Sequence, residues 1–317
     1  MDFNADGKVD YFTATFDGSP HVAYGTDDGF AEPVRLHDRS GKRVMLDQYW
    51  DYDEKEWANS GSDNGHCTSA LAFDWDNDGD YDLLLGSYGD GNLHRQMNEG
   101  SPGAPSFTGV SVPVLAGGAP FALEGGITAP RLVDWDGDGL MDLVIGSYGE
   151  SYTSEPPGGV YLYRNCGELG APKFEAASAL IAPTATAGHA AERPNVGLYA
   201  DPVDYDGDGD LDLVVGGYSI WTPEAPVLTA AMKARLAELE ELIPELTKLQ
   251  RDLMTKALAD SEELDEKERR VFLKAAREAS TYKETSTQVR DLRAERERLS
   301  PSRQRVASVW VYLQVSS

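Results

Sequence analysis

The chain is 317 residues long and 41% hydrophobic, enough for one large all-β domain or two ordinary domains with a real core. Its net charge of −26 excludes nucleic acid and anionic membrane as partners, because either requires a basic face. No apolar run is long enough to span a bilayer and no signal peptide is present, but Met1 stands directly against an acidic motif, so the chain reads as cut at its start.

That motif is Asp2-Phe3-Asn4-Ala5-Asp6-Gly7-Lys8-Val9-Asp10, and it recurs at Asp74 to Asp82, Asp134 to Asp142 and Asp204 to Asp212. The starts are 72, 60 and 70 residues apart, the mark of a repeat architecture. In the third copy Asp134, Asp136, Asp138 and Asp142 fill the first, third, fifth and ninth positions, with Gly139 at the sixth for a tight turn. Two carboxylates about 4 Å apart repel by about 4 kcal/mol at an effective dielectric near 20, and the loop has no Lys or Arg to relieve them. A hard cation does relieve them. Ca²⁺ takes about 6–8 oxygens, so four side chains, the carbonyl of Leu140 and water complete its shell. Asp74, Asp76, Asp78 and Asp82 repeat the pattern, as do Asp204, Asp206, Asp208 and Asp212. Copy one has Asn4 between Asp2 and Asp6, with Asp10 at the ninth position, and is expected to be the weakest site.

An EF-hand requires a bidentate Glu at the twelfth position and a helix beyond it. Here those positions are Leu85, Ile145 and Val215, inside apolar runs that end in Gly, so the flanks are strands. Short apolar segments also precede the loops, at Leu71 to Phe73, Arg131 to Val133 and Leu198 to Val203. A third strand is predicted at Val160 to Asn165 and a fourth at Lys173 to Glu175. Four short strands per unit describe a propeller blade.

The run Asp-aromatic-Asp-Gly-Asp-Gly-x-x-Asp-Leu-Val-x-Gly, followed by Gly159 to Asn165 and by Pro172-Lys173-Phe174, resembles the FG-GAP/VCBS repeat family, the calcium-loop propeller type also seen in integrin α-subunit heads. The likeness covers about residues 2 to 220 and 305 to 314. It implies a mainly-β chain of about four FG-GAP/VCBS blades with one Ca²⁺ per motif-bearing loop, three to four in all, in a secreted, cell-surface or periplasmic protein. It also implies that the seventh residue, Lys8, Asp80, Leu140 or Asp210, serves through its backbone carbonyl, leaving the Asp80 and Asp210 carboxylates as peripheral charge. The first unit lacks an opening strand and the last a fourth, so the expectation is a partial propeller or a small one closed by its termini.

Residues 226–301 break the pattern and hold 15 Lys/Arg against 16 Asp/Glu, so the acidity belongs to the rest. Leu228, Met232, Leu236, Leu239, Leu242, Leu246, Leu249 and Leu253 form a helical stripe after the N-cap Thr229, with Pro244 expected to kink it. A second helix is predicted from Ser261 to Leu299. This helical hairpin, between the second and third strands of the last blade, divides the chain into 1–225 plus 302–317 and an arm of 226–301. The arm is read as a coiled-coil-like spacer or self-association element, or as folded back on the propeller.

Cys67 and Cys166 are the only cysteines, at no metal-ligand spacing, and either pair or remain two thiols. Phe3, Trp75, Trp135 and Tyr205 follow the first Asp of each loop, and Tyr88, Tyr148 and Tyr218 follow each second strand; both series suit packing between blades or a ligand face. Asp47 to Trp57, with Tyr49, Trp50, Tyr52 and Trp57, is an irregular insertion and the better ligand candidate. The five histidines are scattered, with no His-Glu-x-x-His, Gly-x-Ser-x-Gly or phosphate-cradling motif, so no catalytic residue is predicted. The function expected is a calcium-binding extracytoplasmic propeller that acts as a binding or adhesion module for a protein or glycan, or as a structural module. The alternatives are a propeller enzyme acting on polysaccharide, lyase or glycosidase, and an assembly module that dimerises through its arm.

Overall fold

The computed structural model describes residues 1–62, 64–89, 91–149, 157–184 and 192–314. On either side of the acidic loops the apolar runs pair as antiparallel hairpins. Phe73 lies opposite Asp82, Val133 opposite Asp142 and Val203 opposite Asp212, so each of these three loops joins two registered strands. Branched and leucine-rich residues favour this pleated, half-buried setting.

Among the described residues four sheets of three or more strands follow in chain order, and the fold is mainly β with three helices. The first has Tyr11–Ala14, Pro20–Ala23 and Val34–Arg35. The second has His66–Phe73, Asp82–Tyr88, Leu93–Gln96 and Val112–Pro113, extended by a hairpin of Gln48–Asp51 and Glu56–Asn59. The third has Pro130–Val133, Asp142–Gly146, Val160–Tyr163 and Ser178–Ile181, and the fourth Val196–Val203, Asp212–Trp221 and Gln304–Tyr312.

Two local expectations are corrected. Asp47 to Trp57 is no irregular insertion: Trp50 pairs with Trp57 across an antiparallel hairpin, and Gln48 lies beside His66 in parallel. The fourth strand of the third sheet is Ser178–Ile181, while Lys173 to Glu175 gives isolated bridges from Phe174 to Asn165 and to Ala116. Pro172 has no N–H to donate to a ladder, which leaves this stretch as a turn.

Period-two alternation sends consecutive residues to opposite faces, and the sheets stack accordingly. Leu83 and Leu85 join the core shared with the first sheet, while Leu84 joins that shared with the third. Leu143 and Ile145 face back to the second sheet and Val144 forward to the fourth, whose Leu213 and Val215 complete the third core. Full burial of such a side chain contributes about 1.5–3 kcal/mol. The glycines that end these runs are there for room. A Cβ on Gly86 would lie 2.0 Å from the Thr128 carbonyl oxygen, and one on Gly146 would lie 2.1 Å from that of Leu198. Among the described residues no core cluster joins the fourth sheet to the first.

Two compact units emerge: one holds the sheets up to Ile220 together with the strand from Arg305, the other is Trp221–Gln304. Residues 315–317, assigned to the propeller from sequence, lie outside the described residues. The second unit contains α1 (Ala230–Ala259), α2 (Glu266–Glu278) and α3 (Ser280–Leu299). Thr229 caps α1, which runs on through Pro244. The second arm differs from expectation because it is two helices and starts later. The Ser261 hydroxyl donates to the Leu258 carbonyl and closes α1, whereas Asp265 and Glu268 form the capping box that opens α2. Leu239, Ile243 and Val289 are buried within this unit, and Arg235 pairs with both oxygens of Glu295 at 2.8 Å. No described helix is long and apolar enough to cross a membrane. Cys67 is a buried free thiol, pushed up to about 12 by burial, and Cys166 is free and exposed.

Candidate metal centre

The acidic loops share one backbone design. Their sixth residues Gly7, Gly79, Gly139 and Gly209 have φ between +86° and +96°, a region where a side chain would be strained. The first carboxylate folds the turn around itself. Asp74 accepts the N–H of Asp78 and of Gly79 at 3.1 Å, and Asp134 accepts those of Asp138 and Gly139 at 3.0 Å. Asp204 accepts from Gly207 and Gly209, and Asp2 from Asp6 and Gly7. The fifth carboxylate then accepts the N–H of the seventh residue, tying Lys8, Asp80, Leu140 and Asp210 beside Asp6, Asp78, Asp138 and Asp208.

This folding brings three carboxylates together in each of three loops: Asp74, Asp76 and Asp78; Asp134, Asp136 and Asp138; and Asp204, Asp206 and Asp208. Within each triplet one oxygen per residue lies within 4.8 Å of the others. Oxygens that share one Ca²⁺ at about 2.3–2.6 Å can be no more than about 5.2 Å apart, so the donor set fits a hard divalent cation. In the first loop the Asn4 amide donates to Asp6 at 3.1 Å, supplying a neutral partner where the other loops set a third carboxylate.

The ninth carboxylates have a further task. Asp82 accepts the N–H of Trp75 on one oxygen at 3.0 Å and that of Asn98 on the other at 2.6 Å. Asp142 likewise holds Trp135 and Asn165, Asp212 holds Tyr205 and Gln314, and Asp10 holds Phe3 and Gly25. All four are buried, and each clamps the start of its loop to the residue two beyond the end of a strand, Pro20–Ala23 in the first sheet and the third strand in the other three. Each oxygen retains a second lone pair, so this duty is compatible with ligation.

The electrostatics are those of crowded acids. Burial raises Asp82 and Asp142 above the ordinary carboxylate value; the N–H donors oppose it and neighbouring aspartates add to it. Lost hydration and the Asp208 charge raise Asp206. Asp80 is pushed up to about 6 by burial and then by Asp78, Asp82, Asp76 and Asp74. Its carboxylate is buried with neither oxygen hydrogen-bonded.

A family model described as FG-GAP-like repeat matches residues 74–145 and, overlapping, 134–215. Residues 74–215 carry FG-GAP-like repeats. Each FG-GAP match opens on the first Asp of an acidic loop and closes in the strand after the next loop. No curated protein and no solved structure gives a significant match.

One element of these FG-GAP units escaped the reading by carboxylates. Asn98 and Asn165, held by the ninth Asp, use their side-chain oxygens to accept from Gly100 and Ser106 and from Gly167 and Lys173. They thereby shape turns that rest on the preceding sheet's loop. A Cβ on Gly103 would lie 2.4 Å from the Asn4 carbonyl, and one on Gly170 would lie 2.6 Å from that of Asp76. The signal was present as Asn-x-Gly-x-x-Gly-Ala-Pro-x-Phe, at Asn98 to Phe107 and at Asn165 to Phe174. In the third loop a cation intervenes: Arg164 reaches Asp136 at 2.6 Å.

Of the aromatic series, Phe3 is buried in the first core, Trp75 and Trp135 pack against the second and third, and Tyr205 is exposed. The hairpin tryptophans form a cluster, Trp50 to Trp57 at 5.6 Å and Trp57 to His66 at 4.8 Å, with Phe16 and Tyr88 alongside and largely exposed.

Proposed function

We propose that this protein is a calcium-stabilised, propeller-type binding module that works outside the cytoplasm. The observation that carries the reading is the convergence of three carboxylates in each of three loops that lie within FG-GAP-like repeats. Asp74, Asp76, Asp78 and Asp82 hold one ion with the carbonyl of Asp80. The loops at Asp134 and Asp204 hold two more, and the Asn4 loop holds a weaker fourth. Bound Ca²⁺ supplies the positive charge that offsets the clustered carboxylates. The chain's own residues close the turns, clamp them to the end of a strand in the same sheet and rest a turn of the next sheet on two of them. The metal role is therefore structural.

Ligand recognition falls to the aromatic hairpin. Trp57, Phe16, Tyr52 and Tyr88 leave large ring surfaces open to solvent, which suits stacking on a glycan or an apolar protein surface. Scanning calorimetry with Ca²⁺, with Mg²⁺ and with chelator tests the metal reading. Ca²⁺ is expected to raise the melting temperature by many degrees and Mg²⁺ much less, and an unchanged melting temperature with Ca²⁺ would sink the proposal. A glycan array probed with the native chain and with Trp57→Ala tests the ligand surface: loss of signal in the variant supports it, and equal signals remove it.

A further inference from the structure

Among the described residues the repeated stacking leaves one face of each kind without a partner. Every sheet offers a forward face to the next sheet and a backward face to the previous one. In the third sheet the forward positions Val144, Val160 and Leu162 are at most 2% exposed. The third strands of the last two sheets align through their clamps, since Asn165 donates to Asp142 as Gln314 does to Asp212. Counting back, Val309 and Val311 stand where Val160 and Leu162 stand, yet they are 69% and 36% exposed. Val203 and Tyr205, which match Val133 and Trp135, are 40% and 62% exposed. Gly216 matches Gly86 and Gly146, where the next sheet's backbone comes within 2.1 Å of a built Cβ; a Cβ on Gly216 meets nothing within 4 Å.

At the other end the first sheet shows the complementary surface. Tyr11 follows Asp10 as Leu83, Leu143 and Leu213 follow their ninth aspartates, and those leucines are buried against the preceding sheet. Tyr11 is 57% exposed, with the exposed Phe30 ring beside it at 6.2 Å.

We propose that the forward face of the fourth sheet binds the backward face of the first sheet in a second copy of this chain. The argument is continuity: the same pairing of faces occurs three times within one chain, and the two leftover faces are its two halves. Two copies that pair reciprocally satisfy both faces and close as a dimer, whereas one-way pairing gives a chain of copies. The inference is independent of the calcium reading, because its surfaces are apolar.

Sedimentation velocity over a concentration series in CaCl₂ tests it. Dimers or longer assemblies are expected from the native chain, and monomers from Val309→Asp and from Tyr11→Asp. Both positions are exposed, and unchanged melting temperatures confirm that the variants fold; Val311→Asp and Phe30→Asp replace either one that does not. Mixing the Val309→Asp and Tyr11→Asp chains leaves one junction with two native faces, so heterodimers are expected to return. A monomeric native chain, single variants that still associate, or mixtures that stay monomeric would each overturn the proposal.

Discussion

Gly170, at the turn between the third and fourth strands of the third sheet, lies with its Cα against the Asp76 carbonyl of the second acidic loop, leaving no room for a methyl group. Its φ of +79° independently demands glycine. A non-glycine residue held in such a conformation costs about 1–3 kcal/mol, and here the clash comes in addition. Gly170→Ala is therefore expected to destabilise the chain and to weaken Ca²⁺ binding at the Asp74 loop, while the Asp204 loop keeps its affinity. Titration calorimetry, comparing the number and affinity of sites, checks this.

Calcium affinity should follow the carboxylate count. Asp78→Asn removes one of three converging charges, whereas Asp6→Asn alters a loop that already carries Asn4. At a Ca²⁺ concentration about 100 times Kd, one site adds about 2.7 kcal/mol of stability, worth several degrees of Tm in a chain of this size. Asp78→Asn is expected to lose most of one such increment, and Asp6→Asn a small fraction of it, as read by scanning calorimetry in CaCl₂.

Asp80 is buried without a hydrogen-bond partner, where the third loop has Leu140. A buried unpaired polar group costs about 1–3 kcal/mol. Asp80→Leu in chelator should therefore raise the melting temperature. The sign also gives a pH signature for the native chain. A carboxyl whose folded value, about 6, exceeds its ordinary 3.8 stabilises fully below 3.8 and loses that contribution as pH rises through 6. Asp80→Leu should abolish this decline in urea unfolding curves recorded without metal.

Arg164 sets its guanidinium 2.6 Å from Asp136, within the third triplet. A unit charge about 4 Å away is worth about 1 kcal/mol even in bulk water. Arg164→Gln is expected to tighten Ca²⁺ at this loop several-fold, measured by titration calorimetry against the native chain.

Acid should weaken the junction of the first and second sheets, where His66 meets Phe16, in two steps. Burial lowers His66 below its ordinary 6.5, partly opposed by its contact with the Phe16 carbonyl, so its contribution is present above 6.5 and lost as pH falls through the lower folded value. Burial alone would raise Asp17, but the Thr15 hydroxyl and Arg35 outweigh it and hold it below 3.8. Its contribution is lost only as pH falls through that lower value. His66→Phe should remove the first step and leave the second, as followed by tryptophan fluorescence.

The acidic loops were legible because their logic is local: an Asp every second residue and a glycine at the sixth position fix both the turn and the carboxylate cluster within nine residues. Strand pairs flanking them followed from apolar runs of fixed length. What stayed hidden was set at a distance. The clamp from Asp142 to the Asn165 N–H spans 23 residues of sequence, and nothing in the acidic motif announces it. The hairpin at Trp50 reads as irregular because Asp and Glu dominate it, and pairing beside His66 decides its form. Ser261 reads as the helix start, but the reciprocal bonds of Asp265 with Glu268 set the start at Glu266.

The fourth sheet pairs Asp212–Trp221 with Gln304–Tyr312, although the whole helical unit lies between them in the chain. Closing so long an intervening segment carries an entropic penalty that grows with its length unless the segment is already ordered. A helical unit built on local contacts can order early and bring its two ends into register. On a ribosome this strand emerges after the helical unit, so the fourth sheet, and the clamp from Asp212 to Gln314, can close only once that unit has been made.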